Sequence, residues 1–228
     1  TIGAAAAFSS IETALSALNR LEVRGRDSAG ISVVVSGIDA DAPRYSELLD
    51  GRTTDPLFQN GSVRAADGSL NFVYKHSAEI GELGDNIAAL RAAMRGDALL
   101  QLVLQEPGSE ALVLGHTRWA SVGIISEPNA HPLNHEEFEP TTSPFVIGAL
   151  NGDVDNHQDL VERAGLKLHP AITTDAKVIP ALISREMDKG SDFGEAFRRT
   201  VATFEGSVAI GAASTTDADC IALALRGS

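Results

Sequence analysis

Apolar positions recur along the chain with two periods, and their succession outlines the elements. Residues 2–7, IGAAAA, read as a short buried strand. Ile11, Ala14, Leu15, Leu18 and Leu21 then follow helical spacing, which predicts a helix over 10–21 capped by Ser9 or Ser10. Arg24 to Asp27 is a turn, and residues 30–36, GISVVVS, form a β-branched buried strand. Residues 37–71 lose the periodicity and read as a partly ordered excursion from the core. Within it, Asp67-Gly68 signals a hairpin between Val63 and Phe72. Ile80, Leu83, Ile87, Leu90 and Met94 make one apolar stripe, which predicts a helix over 78–95. Buried strands follow at 111–119 and 145–150, separated by a loop with Glu136, Glu137 and Glu139. Helices are predicted near 156–164, 175–188 and 193–203, and strands near 207–213 and 220–225.

The order is strand, helix, strands, helices, strands. Without strict βαβ alternation, it predicts an α+β fold of two stacked, mostly antiparallel sheets between helix layers. Aromatics are only 5% of the residues, so Ala, Val, Ile and Leu must build the core. The 18 Lys and Arg against 31 Asp and Glu give a net charge of −13. That field repels phosphate backbones and anionic lipid, which argues against general nucleic-acid or membrane-surface binding. The single cysteine, Cys220, lies in an apparent buried strand and reads as inert core. One cysteine fits a reducing compartment, and a cytoplasmic protein is expected.

Three polar groups sit where apolar strands or helices begin or end. Arg118 closes a strand, and its fork matches a carboxylate, although a structural ion pair would also suit it. Asn151-Gly152 closes another. An Asn amide beside a Gly N–H can form an oxyanion hole, worth roughly 10²–10³ in rate per donor; the same dipeptide also makes tight turns. Thr174-Asp175 starts a helix, where Asp175 could hold an ammonium group or serve only as part of a cap. His131 and His135 are four apart, but Pro132 disfavours a helical metal pair. No metal or organic cofactor motif is present. Thr1 heads the chain, and an N-terminal Thr can act as nucleophile with its own amine as base.

Taken together, these segments resemble the class II glutamine amidotransferase domain, an N-terminal-nucleophile hydrolase. They are most like the glutaminase domain of the glucosamine-6-phosphate synthases. LEVRGRDSAGI at 21–31, GHTRWASVG at 115–123, SEPNAHP at 126–132, Asn151-Gly152, TDAKVI at 174–179 and FEGS at 204–207 match that family's segments in order. The resemblance implies a four-layer αββα sandwich and hydrolysis of L-glutamine to glutamate and ammonia. It implies that Arg118, beside Trp119 and Ser121, clamps the substrate α-carboxylate, that Asp175 holds its α-ammonium, and that Asn151 and the Gly152 N–H hold the oxyanion. Arg24 and Gly25 would shape the pocket.

The sequence departs from the family in four places. By spacing to Arg24-Gly25, the family's nucleophilic Cys falls about two residues before Thr1. Either it precedes this chain, or the domain lacks it, or Thr1 takes its place. Val122 and Leu150 stand where the family has His, and residues 37–71 lengthen the chain. One glutaminase domain over 1–228 is expected, followed by a synthase or isomerase domain that accepts the ammonia and carries homo-oligomer contacts. The acceptor would be a sugar phosphate such as fructose 6-phosphate. The alternative is an inactive glutamine-binding regulatory module.

Overall fold

The computed structural model describes residues 2–77, 82–138 and 142–227. It opens with α1 (Ile2–Leu21), a helix of 20 residues. The strand expected at 2–7 is instead the first part of this helix. Ala carries the lowest helix cost, and Ala7 extends the buried stripe of Ile11, Leu15 and Leu18. Ser10, expected as a cap, lies inside the helix and donates from Oγ to the Ala6 carbonyl at 3.1 Å.

A 3-10 turn at Glu22–Arg24 leads into β1 (Ser28–Ser36). The following excursion contains α2 (Ser46–Leu49) and β2 (Val63–Ala66), then turns into β3 (Ser69–Ser77). Asp67 and Gly68 both take positive φ, 49° and 71°, as a two-residue hairpin turn requires. Val63 pairs with Phe72 across it. Part of the excursion is core, since Ala40, Ala42 and Tyr45 pack in the same cluster as Ile31.

The helix α3 spans Asp85–Gly96, and the expected earlier start is corrected. Gly84, at φ 102°, sets its beginning. Leu83 is exposed, and Ile80 lies outside the described residues. Asp97 then caps an unpredicted helix, α4 (Ala98–Leu104), by accepting from the Leu99 and Leu100 amides. The chain continues through β4 (Glu110–Arg118), β5 (Leu133–Asn134), β6 (Val146–Gly152) and α5 (His157–Ala164). A 3-10 turn at Asp175–Lys177 runs into α6 (Val178–Asp188), followed by α7 (Phe193–Ala202), β7 (Val208–Ser214) and β8 (Asp217–Arg226).

The strands form two four-stranded antiparallel sheets, ordered β2-β3-β1-β4 and β5-β6-β7-β8. Helices α1, α3 and α4 cover the first sheet, and α6 and α7 cover the second. This is the expected four-layer αββα sandwich. Both β4 and β8 are edge strands, which corrects two expectations of full burial. Residues 111–117 are half-buried. Cys220 is half-buried too, while Ile221, Leu223 and Leu225 are exposed. Of the acidic loop cluster, Glu136 pairs with Arg64 at 2.6 Å and Glu137 with Arg185 at 2.5 Å. Glu139 lies outside the described residues. Among the described residues no helix is long and apolar enough to cross a membrane.

The layer between the sheets is graded. At one end Val34 and Val73 of the first sheet meet Ile147 and Ala213 of the second, with Phe58 and Phe145. Toward the other end β1 alternates onto this face Ser32, Gly30 and Ser28; Gly30 pairs with Lys75 and His116 of its neighbours, and Ser28 with Arg118. The polar end is where the candidate site lies.

Candidate functional site

Arg118 ends β4 with its side chain buried. Its guanidinium donates to the Ile124 carbonyl at 3.2 Å and to the Val122 carbonyl. Both bonds go to loop backbone rather than to a carboxylate. Burial lowers the Arg118 pKa from its ordinary value, and the charges of Asp175 and Asp27 oppose that shift. The loop that Arg118 grips is held from two other sides. Asp27 accepts from the Ala120 amide at 2.8 Å, and Thr173 Oγ1 accepts from the Ile124 amide at 3.0 Å. Gly25 lies against the Arg118–Trp119 peptide. Trp119 is 75% exposed on the same loop, and Ser121 donates to Asp153 at 2.5 Å.

Across the cavity, β6 ends in Asn151-Gly152, both exposed. Gly152 has φ +111°, and a Cβ there would lie 2.0 Å from the Ser207 carbonyl oxygen. The conformation and the contact both demand glycine. Asn151-Gly152 therefore is not a hairpin turn; it is the paired end of a strand, against Ala209 and Val208 of β7.

Thr174 takes the capping role that the sequence left open between it and Asp175. Its Oγ1 accepts from the Ala176 amide at 3.4 Å. The Asp175 carboxylate is thereby left to face the cavity, accepting from the Val154 amide at 2.7 Å. Burial raises its pKa above the ordinary value, and the charge of Asp153 adds to that, against the Val154 hydrogen bond. A buried carboxylate in this state gains from a nearby cation.

These groups meet in one cavity of about 430 Å³. Arg24, Arg118, Trp119, Ser121, Asn151, Gly152 and Asp175 line it. Val122 and Leu150 line it too, so it is apolar where the family carries His. Gly25 is behind the wall. Thr1 lies outside the described residues. Gly3 packs on the Ser109 carbonyl, beyond the opposite end of β4 from Arg118. Nine strand residues separate those ends, roughly 30 Å. A larger groove of about 790 Å³ between α1, β4 and β8 carries Glu110 and Asp219 but no Lys or Arg among its lining residues. It offers no cation–anion pair.

Two residues without an assigned role prove central to the site's construction. Asn129 Oδ1 accepts from the Thr173 and Thr174 amides at 2.7 and 3.0 Å, and its Nδ2 donates to Ser126 and the Ala171 carbonyl. His131 lines the cavity beside His116, with ring centroids 4.8 Å apart. Burial, more than the charge of Arg118, lowers His116 to about 4. Burial, His116, Arg118 and Lys75 hold His131 well below its ordinary range. The only available signal was the SEPNAHP segment itself, because strand-end reasoning passes over a loop. His135 accepts from the Val146 amide at 3.4 Å. Among the described residues no cluster of three or more metal-ligating side chains occurs.

Comparison with known proteins gives consistent matches. The chain is 29% identical over 201 residues to a glutamine–fructose-6-phosphate aminotransferase (isomerizing) of Bacillus thuringiensis subsp. konkukian, covering 88% of this chain and 24% of that enzyme. It is 29% identical to the enzyme of the same name from Sulfolobus acidocaldarius, covering 86% and 24%. The Caulobacter vibrioides enzyme of that name is 31% identical over 156 residues, covering 68% and 24%. The chain thus spans about a quarter of the length of the curated relatives it matches. Among solved structures, glutamine phosphoribosylpyrophosphate amidotransferase from B. subtilis, complexed with ADP and GMP, aligns at TM-score 0.47 and 17% identity over 86% of this chain and 37% of that one. No protein-family model matches the chain.

Proposed function

We propose that this class II glutamine amidotransferase domain binds L-glutamine between Arg118 and Asp175 and hydrolyses its side-chain amide to glutamate and ammonia. The observation that carries the reading is a buried cation and a buried anion facing one cavity, each bonded to backbone and not to the other. A zwitterionic amino acid supplies the missing counter-charge to each. The α-carboxylate meets the Arg118 fork, and the α-ammonium meets Asp175. Each contact offsets a desolvation already present in the folded protein, so the site is organised before the substrate arrives.

The side chain of glutamine then extends toward Asn151-Gly152. Attack of a nucleophile on the amide carbon makes a tetrahedral oxyanion, which the Asn151 amide and the Gly152 N–H stabilise. Collapse expels ammonia and leaves an acyl-enzyme, and water releases glutamate. The nucleophile in this reading is the family's N-terminal Cys, placed by spacing about two residues before Thr1. Its action requires the chain's beginning to reach Asn151, which α1 in its observed course does not do. Hydrolysis therefore draws its support from the likeness to glutamine-dependent enzymes. Ammonia transfer to a sugar phosphate such as fructose 6-phosphate, on a synthase or isomerase domain that also carries subunit contacts, is proposed on the names of those relatives. A cytoplasmic location is proposed with it.

The test uses the full-length protein and an electrophilic glutamine analogue. A covalent adduct on the N-terminal peptide, blocked by L-glutamine, supports hydrolysis and names the nucleophile. Glutamine binding without an adduct would leave a regulatory module. No binding by calorimetry would overturn the reading.

A further inference from the structure

The two halves of the glutamine site come from different elements, β6 and the turn before α6, and one buried side chain touches both. His131 Nδ1 accepts from the Leu150 amide at 3.3 Å, one residue before Asn151. Its Nε2 lies 3.5 Å from Thr174 Oγ1. Because Nδ1 receives an N–H, it carries no proton, and the neutral ring has its hydrogen on Nε2. That hydrogen points at the Thr174 hydroxyl, which in turn donates to Asp175 Oδ1 at 3.4 Å.

The surroundings are shaped to hold this ring in place. Gly30 lies beneath His131, and a Cβ there would sit 2.2 Å from the His131 carbonyl oxygen. His116 covers one face, with an interplanar angle of 34°. His131 is 4% exposed, so its two bonds are not exchanged for water.

We propose that His131 is a positioning residue that ties the two halves of the site together: one ring nitrogen fixes the strand that presents Asn151, and the other fixes the hydroxyl that steers Asp175. The proposal rests on the glutamine reading for its effect on catalysis, but the tie itself is a property of the unliganded protein.

Two substitutions separate the arms. Asn places its amide near the position of Nδ1, and Gln reaches the position of Nε2. In the full-length protein, His131→Asn keeps the Leu150 arm and frees Thr174. Its KM for glutamine rises about tenfold while kcat stays within about threefold, the scale of one lost hydrogen bond. His131→Gln keeps the Thr174 arm and frees Leu150, and kcat falls about tenfold with KM within about threefold. His131→Ala changes both.

A readout without glutamine accompanies the kinetics. Hydrogen exchange at the Leu150 amide reports one arm. Exchange at the Val154 amide, bonded to Asp175, reports the other. The tie requires Leu150 to stay protected in His131→Asn and Val154 to stay protected in His131→Gln, each variant losing the other. Equal loss in both variants, or unchanged exchange in both, overturns it. If the exchange pattern holds in a protein that does not bind glutamine, the tie stands and the glutamine reading fails. If the wild-type enzyme turns over glutamine and both variants show the same kinetic split, the positioning role fails and the glutamine reading stands.

Discussion

Arg118 and Asp175 face the same cavity as a buried cation and a buried anion, yet Arg118 bonds to the Val122 and Ile124 carbonyls and Asp175 to the Val154 amide. The two charges are held apart by backbone. An ion pair between them would fill the space that the proposed amino-acid substrate needs.

Arg118→Ala should reduce glutamine affinity by about 100-fold or more, since the substrate carboxylate would enter a desolvated site with no cation. Titration calorimetry on the folded protein checks this. A lower melting temperature with unchanged affinity would mark Arg118 as a structural residue that only pins its loop.

Asn151→Ala should lower kcat by roughly 10²–10³ and leave KM within a fewfold, because in the proposed reaction its donor serves charge that develops after binding. Steady-state ammonia release by the full-length enzyme measures both constants. A parallel rise in KM with little change in kcat would remove Asn151 from the oxyanion site.

Asp175 carries a stability cost that fits its proposed role in holding an ammonium group. Burial raises its folded pKa above the ordinary 3.8. Between those values the folded chain binds more protons than the unfolded chain, so its contribution to stability falls as pH rises through that window. Asp175→Asn should therefore melt higher than wild type at pH 7 and converge with it in acid. The variant should also lose glutamine binding, and wild-type affinity should fall as pH drops into the same window. A lower melting point at pH 7 would contradict this balance.

Lys75 gives a second pH signature. Its Nζ is buried without a hydrogen-bond partner among the described residues. Burial first, then the charge of Lys177, lowers it from 10.5 to about 7. Over that window the unfolded chain binds more protons, so stability rises with pH. Lys177 is also lowered to about 7, but it bonds to Asn134 at 2.7 and 3.0 Å. Lys75→Met should raise the melting temperature at pH 7 and flatten, without abolishing, the rise toward pH 10. An unchanged slope would show that Lys75 does not titrate in the folded protein.

Much of this arrangement is legible in the residue order. Helices with one clean stripe, such as the one carrying Leu160 and the one carrying Phe193 and Phe197, fall where their periodicity puts them. Arg118, Asn151 and Asp175 are legible because each follows or precedes a strongly patterned element. Residues 2–7 are not, because a short Ala-rich run fits either period and only the continuation through Ala7 to Leu18 decides it. Tyr45 is hidden for another reason: it is a core residue, with Ala40 and Ala42, inside a polar segment without periodicity. Asn129 and His131 lie in a loop without periodicity, and their partners at 150 and 171–174 are distant in the sequence. No local pattern encodes such contacts. Edge position is equally non-local, which is why Leu223 and Leu225 look buried in the sequence and are exposed in the fold.

The grading of the inter-sheet layer has a mechanical consequence. Where Val34, Val73 and Ile147 meet, the two sheets are sealed by apolar contact, and separating them would break the core. Where Ser28, Gly30 and Ser32 replace such side chains, backbone comes close instead, and a Cβ at Gly30 would lie 2.2 Å from the His131 carbonyl oxygen. The seam is thus closed by side chains at one end and by near contact of backbones at the other, so any side chain added at Gly30 would act as a wedge beside the cavity.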